Sequence, residues 1–222
     1  MTLLQKDVPY DPVKDFAPIT LTSKGINVLV VHPSLPVKSV KELVALAKSR
    51  PTQLNFSTGA TGGSTQLAAE LFKYMAGVNM VRVIYTSGSV EISELLSGQV
   101  QLTFGSGALM PHVKAGKLKA LAVSSAQPSA LFPGLPPVAA TVPGYESVGY
   151  FGMFAPPQTP AAIIGRLNQE VVRAINQPDV KENLMNSGFE LLGNSPDDFS
   201  AIIKSELTKW GKVFKEAGIQ AN

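Results

Sequence analysis

Between Asn27 and Ser124 the chain alternates apolar runs of strand length with helix-periodic segments, and no other feature restricts its fold as tightly. Asn27 to His32 (NVLVVH) is a β-branched run closed by Pro33. Ser39 to Ser49 then sets Val40, Leu43, Val44 and Ala47 on one helical face behind a serine cap. The pair recurs as a strand near Gln53 to Ser57, a helix from Ser64 to Met75, a strand at Met80 to Tyr85 and a helix from Val90 to Leu96. A strand at Val100 to Phe104, a short helix ending near Gly116 and a strand at Leu118 to Ser124 follow. Parallel strands need crossover connections, so repeated βα units predict an α/β fold: a mainly parallel sheet covered by helices.

The remainder reads differently. Ala126 to Tyr145 holds Pro128, Pro133, Pro136, Pro137 and Pro143 and no charged residue, which predicts an irregular connection. Ser147 to Ala155 is strand-like. Thr159-Pro160 is expected to cap a helix carrying Ile163, Leu167, Val171 and Ile175, and Gly188 to close a short helix begun after Pro178. Phe189 to Leu192 is a short strand. Ser195-Pro196-Asp197-Asp198 then resembles a capping box opening a helix with Phe199, Ile202, Ile203, Leu207, Trp210 and Phe214 on one stripe, ended by Gly218. At 222 residues this is one large domain or two small ones.

Composition removes several function classes. With 45% hydrophobic and 16% charged residues the chain is no disordered polyelectrolyte. A net charge of +3 with scattered cations offers no track for a phosphate backbone, so nucleic acid is not an expected partner. There is no cysteine, and His32 and His112 are the only histidines, so neither a metal site nor a thiol nucleophile is expected. No run approaches the ~18 apolar residues of a membrane span, and Met1 to Asp7 has no signal-peptide pattern.

Asn55 to Leu67 (NFSTGATGGSTQL) is the most informative segment: a strand passes through small and hydroxyl residues straight into a helix. The unpaired N–H groups of a helix start and its positive dipole end suit an anion, and glycines permit close backbone approach. Ser57, Thr58, Gly59, Thr61, Gly62, Gly63, Ser64 and Thr65 are therefore candidate ligand-binding residues, in a stretch without formal charge from Pro51 to Ala69. Alternatively these residues only cap the helix. The loop has neither the P-loop lysine nor a G-x-G-x-x-G pattern, so no nucleotide cofactor is expected. Tyr85, Ser87 and Gly88, and then Gly105 and Ser106, follow the next strands at the equivalent ends, where ligands of open parallel sheets collect. Ser106 with His112 is the only local nucleophile-base candidate, and G-S-G is not the G-x-S-x-G elbow.

Several segments taken together resemble a known family: VPYDPVKDFAPI (Val8 to Ile19), VLVVHPSLPVKSVKELVALA (Val28 to Ala47), LAAELFKYMAG (Leu67 to Gly77), LLSGQV (Leu95 to Val100), PHVKAGKLKALAV (Pro111 to Val123), PGYE (Pro143 to Glu146), FGMFAP (Phe151 to Pro156) and WGKV (Trp210 to Val213). In order and along the whole chain, they resemble the substrate-binding receptors of tripartite tricarboxylate transporters, the Bug family. The resemblance implies a two-lobed, type II-like periplasmic binding protein, a Venus flytrap that closes on a small carboxylate, an amino acid or a related metabolite without catalysis. It further implies delivery to membrane permease subunits. One lobe would comprise residues 1–29 and 150–222, the other residues 30–149, with Val28 to His32 and Gly149 to Ala155 as crossovers. The loop at Thr58 to Thr65 would be one of two carboxylate-holding loops. The resemblance also implies a strand, loop and helix ahead of Met1, so one lobe is expected to be incomplete. Thr86, Ser87, Gly105 and Ser106 depart from the family's usual residues. The competing functions are an α/β small-molecule enzyme and a ligand-sensing subunit of a signalling system.

Overall fold

The predicted alternation from Asn27 onward is present, preceded by a strand that the sequence pattern does not reveal. In the computed structural model, which describes Leu3 and residues 8–216, the elements begin with β1 (Ala17–Ile26), β2 (Val28–Val31), α1 (Val40–Ser49), β3 (Asn55–Thr58) and α2 (Ser64–Ala76). They continue with β4 (Val81–Ile84), α3 (Gly88–Ser97), β5 (Leu102–Gly105), α4 (Met110–Lys114) and β6 (Lys119–Val123). After an irregular stretch come β7 (Val148–Ala155), α5 (Ala161–Ile175), α6 (Pro178–Asn186), β8 (Phe189–Leu191) and α7 (Pro196–Glu216). Gly218 and the segment Met1 to Asp7, apart from Leu3, lie outside the described residues. The chain divides into two units: one runs to Lys24 and resumes at Tyr150, and the other is Gly25–Gly149.

The Gly25–Gly149 unit contains a five-stranded sheet in the order β4-β3-β5-β2-β6. β3 runs parallel to β4 and β5, whereas β2 is antiparallel to both of its neighbours, β5 and β6. The sheet is thus mixed, with β2 reversed in an otherwise parallel set. All four residues of β2 are fully buried, as a strand covered on both faces requires. This corrects two expectations. Val28 and Leu29 belong to this unit, so the first boundary falls at Lys24–Gly25, inside β1, and not after residue 29. Val28 to His32 is likewise no crossover; the chain passes between units within β1 and again within β7, at Gly149–Tyr150.

Strand alternation gives this sheet two different faces. Val28 and Val30 join Leu95, Val100, Leu109, Val123 and Phe132 on one side. On the other, Phe72 of α2, Phe104 of β5 and Tyr145 form an aromatic cluster with centroid separations of 5.7 to 6.4 Å. Each such ring contributes ~1.5–3 kcal/mol by leaving water. Tyr145 is fully buried and its hydroxyl donates to the Ala68 carbonyl at 2.9 Å. The Ser39 cap is as predicted, its Oγ accepting from the Glu42 N–H.

The other unit holds a three-stranded sheet in the order β7-β1-β8. β1 is held by asparagines: Asn194 Oδ1 accepts from the Leu21 N–H at 2.8 Å, and Asn168 Nδ2 donates to the Ile19 carbonyl at 2.9 Å. Phe199, Trp210 and Phe214 of α7 are buried, and Ser195 closes the helix start by accepting from the Asp198 N–H. Gly152 in β7 makes room for Phe199, since a Cβ there would stand 2.5 Å from the ring. Thr159 does not cap α5; its hydroxyl donates to the Pro156 carbonyl, and Pro160 occupies the cap position. The apolar stripe of α5 is only partly covered, with Ile164 and Ile175 buried but Ile163 half exposed.

Candidate functional site

Because β3, β4 and β5 are parallel, the loops that leave them emerge along one edge of the sheet of the Gly25–Gly149 unit. The loop after β3 is Gly59 to Gly63. Its glycine N–H groups are spent within the loop and the helix it opens: Gly59 donates to Thr65 Oγ1, Gly62 to Gln66 Oε1 at 2.8 Å, and Gly63 to the Ala60 carbonyl. Gly62 sits at φ 82°, a left-handed conformation costly for other residues. What remains for a ligand is the start of α2, where Gly63 is the N-cap and no side chain caps the helix. Those first-turn N–H groups and the helix dipole favour a negative group. Asn27 anchors this end by donating from Nδ2 to the Ser64 carbonyl.

Ser57 and Thr58, expected among the ligand-binding residues, are instead fully buried behind the loop. Strand alternation sends them to opposite faces. Ser57 Oγ donates to Glu91 Oε1 at 2.8 Å, while Thr58 Oγ1 accepts from Arg82 Nε at 2.9 Å. Arg82 also reaches Thr61 Oγ1 at 3.4 Å, so a guanidinium stands beside a loop that is uncharged in sequence. Burial lowers its pKa and Glu70 opposes that shift.

Next to the loop lies a pocket of about 230 Å³. Four expected residues line it: Thr65 from α2, Gly88 from α3, and Gly105 and Ser106 from the end of β5. Ile92, Leu95, Ala108 and Leu109 give it apolar walls, and Glu91 puts a carboxylate into them. A Cβ on Gly105 would collide with the Leu109 side chain, so a glycine here keeps the pocket's shape. Thr61, Gly62, Gly63, Ser64 and Gly59 remain in the loop, whereas Tyr85 and Ser87 are not part of the pocket wall. Burial, with Glu94 and Glu91 nearby, raises the Tyr85 pKa. Ser87 Oγ shares a hydrogen bond with Ser89 Oγ at 2.9 Å.

Arg82 and Glu91 are not legible as site residues in the sequence because their partners are distant along the chain. Glu91 carries one local signal, an acid in the first turn of a helix at a strand's carboxyl end. The Ser106–His112 pairing does not form: Ser106 Oγ accepts from the Ala108 N–H and caps a 3-10 turn at Gly107–Leu109. Among the described residues no cluster of three or more acidic or histidine side chains could hold a metal ion, and no helix is long and apolar enough to cross a membrane.

Residues 2–219 match the sequence model of the family described as tripartite tricarboxylate transporter family receptor. The chain belongs to this family. Among similar sequences, a UPF0065 protein from the tcbD-tcbE intergenic region of Pseudomonas sp. is 33% identical over 218 residues, covering 97% of this chain and 65% of that protein. BugT of Bordetella pertussis is 29% identical over 217 residues, covering 97% and 67% respectively. This receptor-family chain thus spans about two thirds of the length of the curated relatives it matches. Among solved structures, an R. palustris protein with adipate has a TM-score of 0.88 at 36% identity, covering 99% of this chain and 74% of that one. The periplasmic binding protein BugD has a TM-score of 0.86 at 25% identity, covering 99% and 75%. A second Rhodopseudomonas palustris protein, MatC with bound malate, has a TM-score of 0.82 at 25% identity, covering 95% and 74%. The fold of this receptor-family chain is therefore the α/β fold of periplasmic binding proteins of this type, and its family and structural neighbours are solute-binding proteins.

Proposed function

We propose that the chain is the ligand-binding part of a periplasmic receptor that captures a small carboxylate and delivers it unchanged to the membrane subunits of a tripartite tricarboxylate transporter. The observation that carries this reading is the uncapped start of α2, which follows a glycine loop at the carboxyl edge of the sheet and borders a pocket lined by Thr65, Gly88, Gly105 and Ser106. Neutral dipoles hold an anion there without a buried ion pair, which suits a receptor that must also release its ligand. The carboxylate ligands of the R. palustris neighbours, adipate and malate, support the same ligand class. Capture by lobe closure belongs to the same proposal. The solute-binding proteins among its family and structural neighbours favour binding over the enzyme reading.

Titration calorimetry with adipate, malate and monocarboxylates tests the reading. Saturable binding with the acid recovered intact by mass spectrometry supports it. Absence of binding to every acid, or turnover of a bound one, rules it out.

A further inference from the structure

Resting on the carboxylate-receptor reading, we infer that Glu91 makes the pocket selective for a ligand that carries a protonated amine in addition to its carboxylate, and sets it against plain dicarboxylates. Glu91 Oε1 accepts from Ser57 Oγ at 2.8 Å and lies 3.2 Å from Thr103 Oγ1. The single Thr103 hydroxyl proton has a second acceptor, the Ser57 carbonyl at 3.1 Å. Among the described residues Glu91 enters no ion pair, and Oε2 accepts no hydrogen bond. Ile92, Leu95 and Leu109 share the pocket wall with it, and the polar groups there, Thr65, Thr103 and Ser106, are uncharged.

A carboxylate so placed is acceptor-only and lacks a cation. The buried Ser57 hydroxyl donates to Oε1 and so holds the carboxylate in place for an incoming group. A second ligand carboxylate in this pocket would face like charge in a medium less polar than water, whereas an ammonium would receive an ion pair already oriented for it. Thr65 lines the same pocket and belongs to the first turn of α2. One small ligand can therefore present its carboxylate to the helix start and its amine to Glu91.

The test compares 6-aminohexanoate with adipate, which share a carbon chain and differ in one terminal group, by calorimetry on the chain and on Glu91→Gln. The expected result is at least about a tenfold preference of the unsubstituted chain for 6-aminohexanoate, abolished in Glu91→Gln. Circular dichroism melts of both proteins confirm that the variant is folded, and the comparison within the unsubstituted chain needs no variant. Equal or tighter binding of adipate, or a preference that survives Glu91→Gln, overturns the inference while the carboxylate-receptor reading stands. Binding of neither compound overturns the inference, and the carboxylate-receptor reading falls with it only if malate and the monocarboxylates also fail to bind.

Discussion

Replacing Tyr145 with phenylalanine exchanges one buried hydroxyl for hydrogen and leaves the aromatic cluster with Phe72 and Phe104 in place. At neutral pH the variant loses the bond to the Ala68 carbonyl, a net cost of about 1 kcal/mol. Burial also raises the Tyr145 pKa well above the ordinary 10.0, so the folded chain disfavours the phenolate that the unfolded chain forms freely. A group whose folded pKa is raised contributes stability that is intact below the unfolded value and is lost as pH climbs toward the folded one. The wild-type chain should therefore lose about 1.4 kcal/mol by one pH unit above that ordinary value, and about 1.4 kcal/mol more for each further unit. The Tyr145→Phe variant has no phenol to ionise, so the two curves should cross near pH ~11, with the variant more stable beyond it. Guanidinium unfolding followed by circular dichroism from about pH 7 to about pH 11.5 reads the difference, and taking that difference cancels the other titrating groups. A gap between the two proteins that stays constant with pH would refute the reasoning.

Thr61→Asp adds a negative charge to an exposed loop position that avoids the strained φ of Gly62; Arg82 beside it screens part of that charge, so carboxylate binding should weaken about threefold or more in calorimetry while the thermal midpoint does not fall. Unchanged affinity would place the anion elsewhere. Gly152→Ala drives a methyl group against the buried Phe199 ring and the Thr20 carbonyl, for which overpacking costs of ~1–3 kcal/mol are expected. Trp210 fluorescence should report an earlier denaturation midpoint, and a midpoint equal to wild type would contradict this packing. Ser195→Ala removes the acceptor for the Asp198 N–H and should cost about 1 kcal/mol by the same measurement.

The βα alternation and the caps at Ser39 and Ser195 were legible because they depend on neighbours within a few residues. β1 was not, since Pro18 and Gly25 interrupt its pattern and its alternation acquires meaning only from Asn168 and Asn194, far along the chain. The reversal of β2 was hidden for a related reason. A fully apolar strand has the same sequence signature whichever way it runs, and its direction is set by where β1 delivers the chain. At the candidate site, the rule that ligands collect at strand ends led to Thr65, Gly88, Gly105 and Ser106, which line the pocket beside the loop. The burial of Ser57 and Thr58 did not, because their hydroxyls answer to Glu91 and Arg82 across the sheet.

The unit that holds β1 is built from two stretches of chain with all of Gly25–Gly149 between them, and synthesis reads that interruption as time. At about 5–20 residues per second, roughly 6–25 s pass before β7 begins to appear, and longer before Trp210 and Phe214 do. During that interval Ile19 and Leu21, buried in the finished fold, wait without β7, β8, Asn168 and Asn194, while the intervening unit can already close its own sheet. Nascent chains stalled beyond Gly149 should accordingly resist protease across Gly25–Gly149 and be cut near β1, and uniform protection would mean that β1 finds temporary cover. The order in which the ribosome releases these segments thus exposes β1 to an early hazard of aggregation.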